Sequence, residues 1–130
     1  MLLCVPDAEP KCSSSVGEEG AVGPNSCDIE PEMIDIVCQI NYTGNYAPVM
    51  KFSSQGSQAV PAFTVKDTNI HGVVTYTLTT AAHPDINGVQ FVCTITLPKT
   101  ECSSANSTIL YSWTSDVIKI LCKYLNRSVC

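Results

Sequence analysis

Cys4, Cys12, Cys27, Cys38, Cys93, Cys102, Cys122 and Cys130 are the residues most able to do chemistry in this chain. Eight cysteines in 130 residues is a high density for a reducing compartment. Zinc is one use for them, but no C-x2-C or C-x4-C pair exists. His71 and His83 lie near no cysteine in sequence. Disulfides are the better reading, because the count is even and three glycosylation sequons accompany it. These are "NYT" at Asn41, "NST" at Asn106 and "NRS" at Asn126. Cysteine pairing and sugar attachment both need the secretory pathway, so the two signals support each other. The chain is expected to be extracellular, as a secreted protein or an ectodomain.

Other chemistry finds little support. No G-x-S-x-G elbow, Gly-rich phosphate loop or H-E-x-x-H helix occurs. "HPD" at 83–85 matches a short motif of J-domain co-chaperones, which sits in a helical hairpin; here it falls in a turn between strands. His71, in "NIHG", reads as a turn residue. Glu18 and Glu19 are adjacent carboxylates in an arm that gives them no fixed geometry. Neither an enzyme nor a cofactor is expected.

Net charge is -5, which disfavours nucleic-acid binding. The acid is concentrated at one end. Residues 1–35 hold eight acidic residues and one base, Lys11, whereas the remainder holds six bases and four acids. A solvated arm explains this, and docking on a basic partner is the alternative. Hydrophobic residues are 45% and charged residues 15%, as in a globular chain with a real core. No stretch is long enough to span a membrane: Lys119 breaks "VIKIL", and "MLLCV" is too short for a signal-peptide core.

The elements that must position these residues are strands. Residues 1–31 lack periodicity and contain Pro6, Pro10, Pro24 and Pro31, so they read as irregular arm or edge-strand material. From Met33 the alternation is strand-like. Strands are expected at 33–41, "PVMKF", "PAFTVK", "VVTYTLTT", 89–97 and "ILYSWTSDVIKIL", with a turn at "DTNIHG". This division gives an N-terminal arm and first-strand region at 1–32, a body at 33–122 and a tail at 123–130. Six or seven short antiparallel strands separated by frequent turns predict an all-β, two-sheet sandwich.

Cys38 and Cys93 fall mid-strand on apolar faces, one among Ile34, Ile36 and Ile40, the other beside Phe91 and Ile95. An inward residue meets what faces it, so the strand pattern predicts a Cys38–Cys93 bond between the sheets. Its loop of about 55 residues contributes about 4 kcal/mol on chain-entropy grounds. Two buried free thiols are the alternative.

This arrangement resembles the immunoglobulin superfamily, with cysteines in its strands B and F and an aromatic residue in strand C. Phe52 stands where that family usually has tryptophan, and "PDINGVQFVC" is similar to its "D-x-G-x-Y-x-C" approach, with Phe91 in the tyrosine place. "NYTGNYAPVMKF" is similar to the B–C segment of invertebrate immunoglobulin-like cell-surface proteins. The resemblance spans about 33–121. Phe52 lacks the indole donor and Phe91 the hydroxyl, while both keep the aromatic bulk. The short cysteine interval favours a constant-like or intermediate strand set.

On sandwich topology, Cys102 lies toward Cys12 or Cys4, and Cys27 toward Cys122 or Cys130. Such bonds would tie the acidic arm down, whereas an unpaired Cys4 or Cys130 would link two chains. Asn41 and Asn106 are expected at one pole, where sugars would turn a partner toward a sheet face. The family likeness implies a protein–protein recognition module, for adhesion or immune-type recognition, with a homotypic or other protein partner. Lys51, Tyr111 and Trp113 are its candidate contacts on an outer sheet face, with core packing as the other reading of Trp113. Two alternatives are a secreted structural subunit that self-assembles, suggested by the surplus cysteines, and a ligand binder using its loops. "TECSSANST" offers that last reading no aromatic anchor.

Overall fold

A computed structural model describes residues 10–17, 19–23, 30–42, 47–56, 62–97 and 108–121. Within them the strands are β1 (Lys11–Ser14), β2 (Ala21–Val22), β3 (Met33–Asn41), β4 (Val49–Gln55) and β5 (Thr64–Ile70). They continue as β6 (Val73–Ala81), β7 (Gln90–Leu97), β8 (Thr108–Thr114) and β9 (Ile120–Leu121). Among the described residues one 3-10 turn, Pro84–Ile86, joins β6 to β7; it carries Pro84 and Asp85 of "HPD", with His83 as its N-cap.

The period of two in the sequence becomes the division between inside and outside. In β3, Ile34, Ile36, Cys38 and Ile40 are buried, while Met33, Asp35, Gln39 and Asn41 are exposed. β7 does the same with Phe91, Cys93 and Ile95. β3 pairs with β6 over its whole length, from Met33 opposite Ala81 to Asn41 opposite Val73.

Three sheets result. One has the order β1-β3-β6-β5, a second β4-β7-β8, and a third is the two-stranded pair β2-β9. The two larger sheets are antiparallel. They pack face to face, because each buried cluster draws on both. One cluster joins Ile34, Ile36 and Leu78 to Phe91, and the other joins Cys38, Ile40 and Val74 to Met50, Cys93 and Ile95. Phe52 and Trp113 are partly buried and pack against both clusters. Phe91 is fully buried and meets Phe63 edge to face, with ring centroids 5.8 Å apart.

The edge-strand reading of 1–32 holds for β1, which adds to the edge of the larger sheet. Three expectations need correction. β2 pairs with β9 in parallel, against the antiparallel pattern expected throughout. Gly20, at φ +99°, permits it, since a Cβ there would lie 2.6 Å from the Lys119 carbonyl oxygen.

The last strand is not continuous to Leu121. After Thr114 the chain leaves the sheet at Ser115, which is buried and bonded to Phe91 in both directions. The Phe91 N–H donates to Ser115 Oγ at 2.9 Å, and the Ser115 N–H donates to the Phe91 carbonyl at 2.8 Å. Asn87 Oδ1 then accepts the Ile120 N–H at 3.0 Å and seats β9. Periodicity could not register this break, because Ile118 and Ile120 beyond it are buried at a spacing of two.

The third predicted strand lies further along, at 64–70, and its turn is tighter than "DTNIHG" suggested. Ile70 pairs with Val73, leaving His71 and Gly72 as a two-residue loop with φ of 53° and 77°. Positive φ at both positions suits the right-handed twist of a hairpin. All seven residues of β5 are exposed, and Lys66 and Asp67 place charge on this sheet edge.

Ser115→Ala should lower stability by about 1–3 kcal/mol, because it leaves the buried Phe91 N–H without its acceptor. Gly72→Ala should cost about 1–2 kcal/mol, since an L side chain is strained at φ +77° and its Cβ would lie 3.1 Å from the Tyr42 carbonyl oxygen. Urea unfolding of each variant against wild type measures both.

Candidate functional site

Among the described residues the cysteines collect where β1, β3 and β7 meet. In the β1–β3 ladder Cys12 stands directly opposite Cys38. The two form a disulfide, with Cα atoms 4.1 Å apart and a sequence separation of 26. Across the core, Cys93 sits in β7 between Phe52 of β4 and Trp113 of β8. It is fully buried and is a free thiol. The three sulfurs all lie within 4.8 Å of one another.

The predicted Cys38–Cys93 bond is therefore corrected: the two meet across the sheets, but Cys38 is bonded to Cys12. The physical reason is strand pairing. β1 brings a second sulfur to Cys38 within the same sheet, in register, before any inter-sheet partner is needed. Of the two partners expected for Cys102, Cys12 or Cys4, the same bond takes Cys12. No periodic signal marked β1, since only Cys12 of its four residues turns partly inward. Cys4, Cys27, Cys102, Cys122 and Cys130 lie outside the described residues, as do Asn106 and Asn126.

Burial governs the remaining thiol. Loss of hydration disfavours the thiolate and pushes Cys93 up to about 12. Tyr76, packed against the same cluster from β6, is also raised. Burial is the main cause there, followed by the Asp67 carboxylate; a hydrogen bond to the backbone of Met50 opposes them. Three sulfurs this close have the donor set of a soft-metal site only when reduced, because the disulfide occupies two of them.

The predicted contact residues divide between two faces. Lys51 is exposed on the outer side of β4. Trp113 is paired with the buried Cys93 and Tyr111 with the buried Ile95, so both turn toward the core and are half-buried there. The core reading of Trp113 holds, and the grouping of all three on one outer face is corrected. Strand parity was legible for β4, but the register of β8 was set by its pairing with β7. Residues that do share the outer side with Lys51 include Ser53, Thr94, Ser112 and Thr114, together with the half-buried Val49 and Val92.

Asn41 is exposed at the end of β3, on the outer side of the larger sheet. Polar side chains on that side bond one another. Thr79 Oγ1 donates to Asp35 Oδ1 at 2.8 Å, and Gln39 Nε2 donates to Thr75 Oγ1 at 3.2 Å. No known protein family, no curated protein and no solved structure matches this chain. Among the described residues no helix is long and apolar enough to cross a membrane.

The raised Cys93 value gives stability a pH dependence. Below about pH 9 the thiol is protonated in folded and unfolded chains alike, and it contributes no slope. Above that, the unfolded chain ionises while the folded one keeps its proton until about 12, so stability is lost as pH rises. The stability difference between wild type and Cys93→Ala should be flat to about pH 9. It should then fall by up to about 1.4 kcal/mol per pH unit. Urea unfolding at intervals from pH 7 to 10.5 measures it.

Proposed function

We propose that this chain is an extracellular immunoglobulin-like module that recognises another protein through the outer face of the β4-β7-β8 sheet. The observation that carries the fold part is strand order. In immunoglobulin constant-type domains a four-stranded sheet in the order A-B-E-D packs on a three-stranded sheet C-F-G. Here β1-β3-β6-β5 and β4-β7-β8 have those orders when the strands are taken in sequence with the separate β2-β9 pair left aside. The aromatic core residues Phe52 and Phe91 support the same reading, since both lie on the inner faces. Fold alone does not determine function, so the recognition role rests on the surface.

One feature favours the smaller sheet as the binding face. A sugar on Asn41 would stand on the outer side of the larger sheet and shield it. On the smaller sheet Lys51, Ser53, Ser112 and Thr114 are exposed beside Thr94, with the half-buried Val49 and Val92 on the same side, giving a largely polar surface with one positive charge. Its partner is a protein, and a second copy of the chain is the first to test.

Beads coated with the chain should cluster with one another or bind intact cells saturably. Lys51→Glu combined with Thr94→Lys should reduce that binding at least tenfold, while Thr77→Lys on the opposite sheet should leave it intact. Unchanged Tm values in all variants would separate binding from folding. Absence of saturable binding to beads and cells, or indifference to the Lys51 and Thr94 changes, would overturn the reading.

A further inference from the structure

We propose that Cys12, Cys38 and Cys93 form an intramolecular thiol–disulfide exchange site in which Cys38 is the shared sulfur. One isomer carries the Cys12–Cys38 bond within the larger sheet. The other carries a Cys38–Cys93 bond between sheets and frees the thiol of Cys12. Two independent observations place the exchange here: a disulfide and a free thiol share one cluster, and all three sulfurs lie within 4.8 Å.

The step balances without an outside oxidant. Cys93 loses its proton to water, and its thiolate attacks Cys38 Sγ. A Cys38–Cys93 bond forms, the Cys12–Cys38 bond breaks, and its electron pair leaves on Cys12 Sγ, which takes up a proton. One disulfide and one thiol exist before and after.

Burial decides which sulfur is attacked. Attack on Cys38 expels Cys12, which is half-buried at the sheet edge, where water can solvate the departing thiolate. Attack on Cys12 would expel Cys38, which has no exposed surface. A fully buried thiolate is the poorer leaving group, so exchange runs through Cys38.

Exchange here is slow at neutral pH, because the attacking form is the thiolate and burial keeps Cys93 protonated. The titratable groups packed in its cluster are Tyr42 after β3, Tyr76 of β6, Tyr111 of β8 and the two other cysteines, while β4 brings Met50 and Phe52. No tyrosine supplies a positive charge to favour the thiolate, so the rate follows hydroxide. The consequence is a change in what the surface offers. In the second isomer β1 is held by its hydrogen bonds alone, and Cys12 becomes a reactive thiol able to form a mixed disulfide with a small thiol or another chain.

The test holds the folded protein at pH 7, 8 and 9, quenches it with acid and alkylates the free thiols. Unreduced peptic peptides are then mapped by mass spectrometry over time. Wild type should yield both Cys12–Cys38 and Cys38–Cys93 peptides, with the approach to their final ratio about tenfold faster per pH unit. Cys93→Ser should yield Cys12–Cys38 alone at every time. Cys12→Ser should yield Cys38–Cys93. A single linkage in wild type at every pH and time overturns the proposal, whether or not the Cys12 variant folds.

Discussion

Ile34, Ile36, Cys38 and Ile40 leave water together because they share one side of β3, and β3 is locked in register along nine residues of β6. A one-residue slip would turn all four to solvent and bring Asp35 and Gln39 inward. Each isoleucine contributes about 1.5–3 kcal/mol by burial, so the register is strongly specified. The opposing sheet must then present an apolar face of its own, which Phe91, Cys93 and Ile95 supply. The clusters, the seating of Trp113 and the meeting of three sulfurs all depend on this face-to-face burial.

The sulfur cluster is where two demands on the core meet. Cys38 is both a small apolar residue in the middle of a buried face and a partner for cross-strand bonding. β1 uses the second property: a four-residue edge strand with little apolar surface is tied to the sheet by the Cys12–Cys38 bond. Closing that loop contributes about 3.5 kcal/mol on the chain-entropy account. Cys93 is left to fill space between the sheets, and the same burial that makes it a good core residue makes it a poor thiolate.

Much of the strand pattern could be read directly. The bounds of β3 coincide with the expected 33–41, and the buried faces of β3 and β7 fall on the expected residues. Where the reading failed, non-local partners decided the outcome. β1 and β2 are too short for periodicity to register, and each exists because a longer or buried strand offers it hydrogen bonds. Ser115 ends β8 through bonds to a residue twenty-four positions earlier, which no local pattern contains. Tyr111 and Trp113 turned inward because β8 takes its register from β7.

The sequence by itself determined which side of β3, β4, β6 and β7 is buried, that Cys38 and Cys93 lie in the core, and that Asn41 ends exposed at a strand terminus. Alternation of side chains is a local property of extended backbone, so it is written in consecutive residues. Only the tertiary structure decided which sulfur Cys38 bonds, and which face Trp113 occupies. Those outcomes depend on strand neighbours distant in sequence, and on distances of a few ångströms that spacing along the chain does not encode.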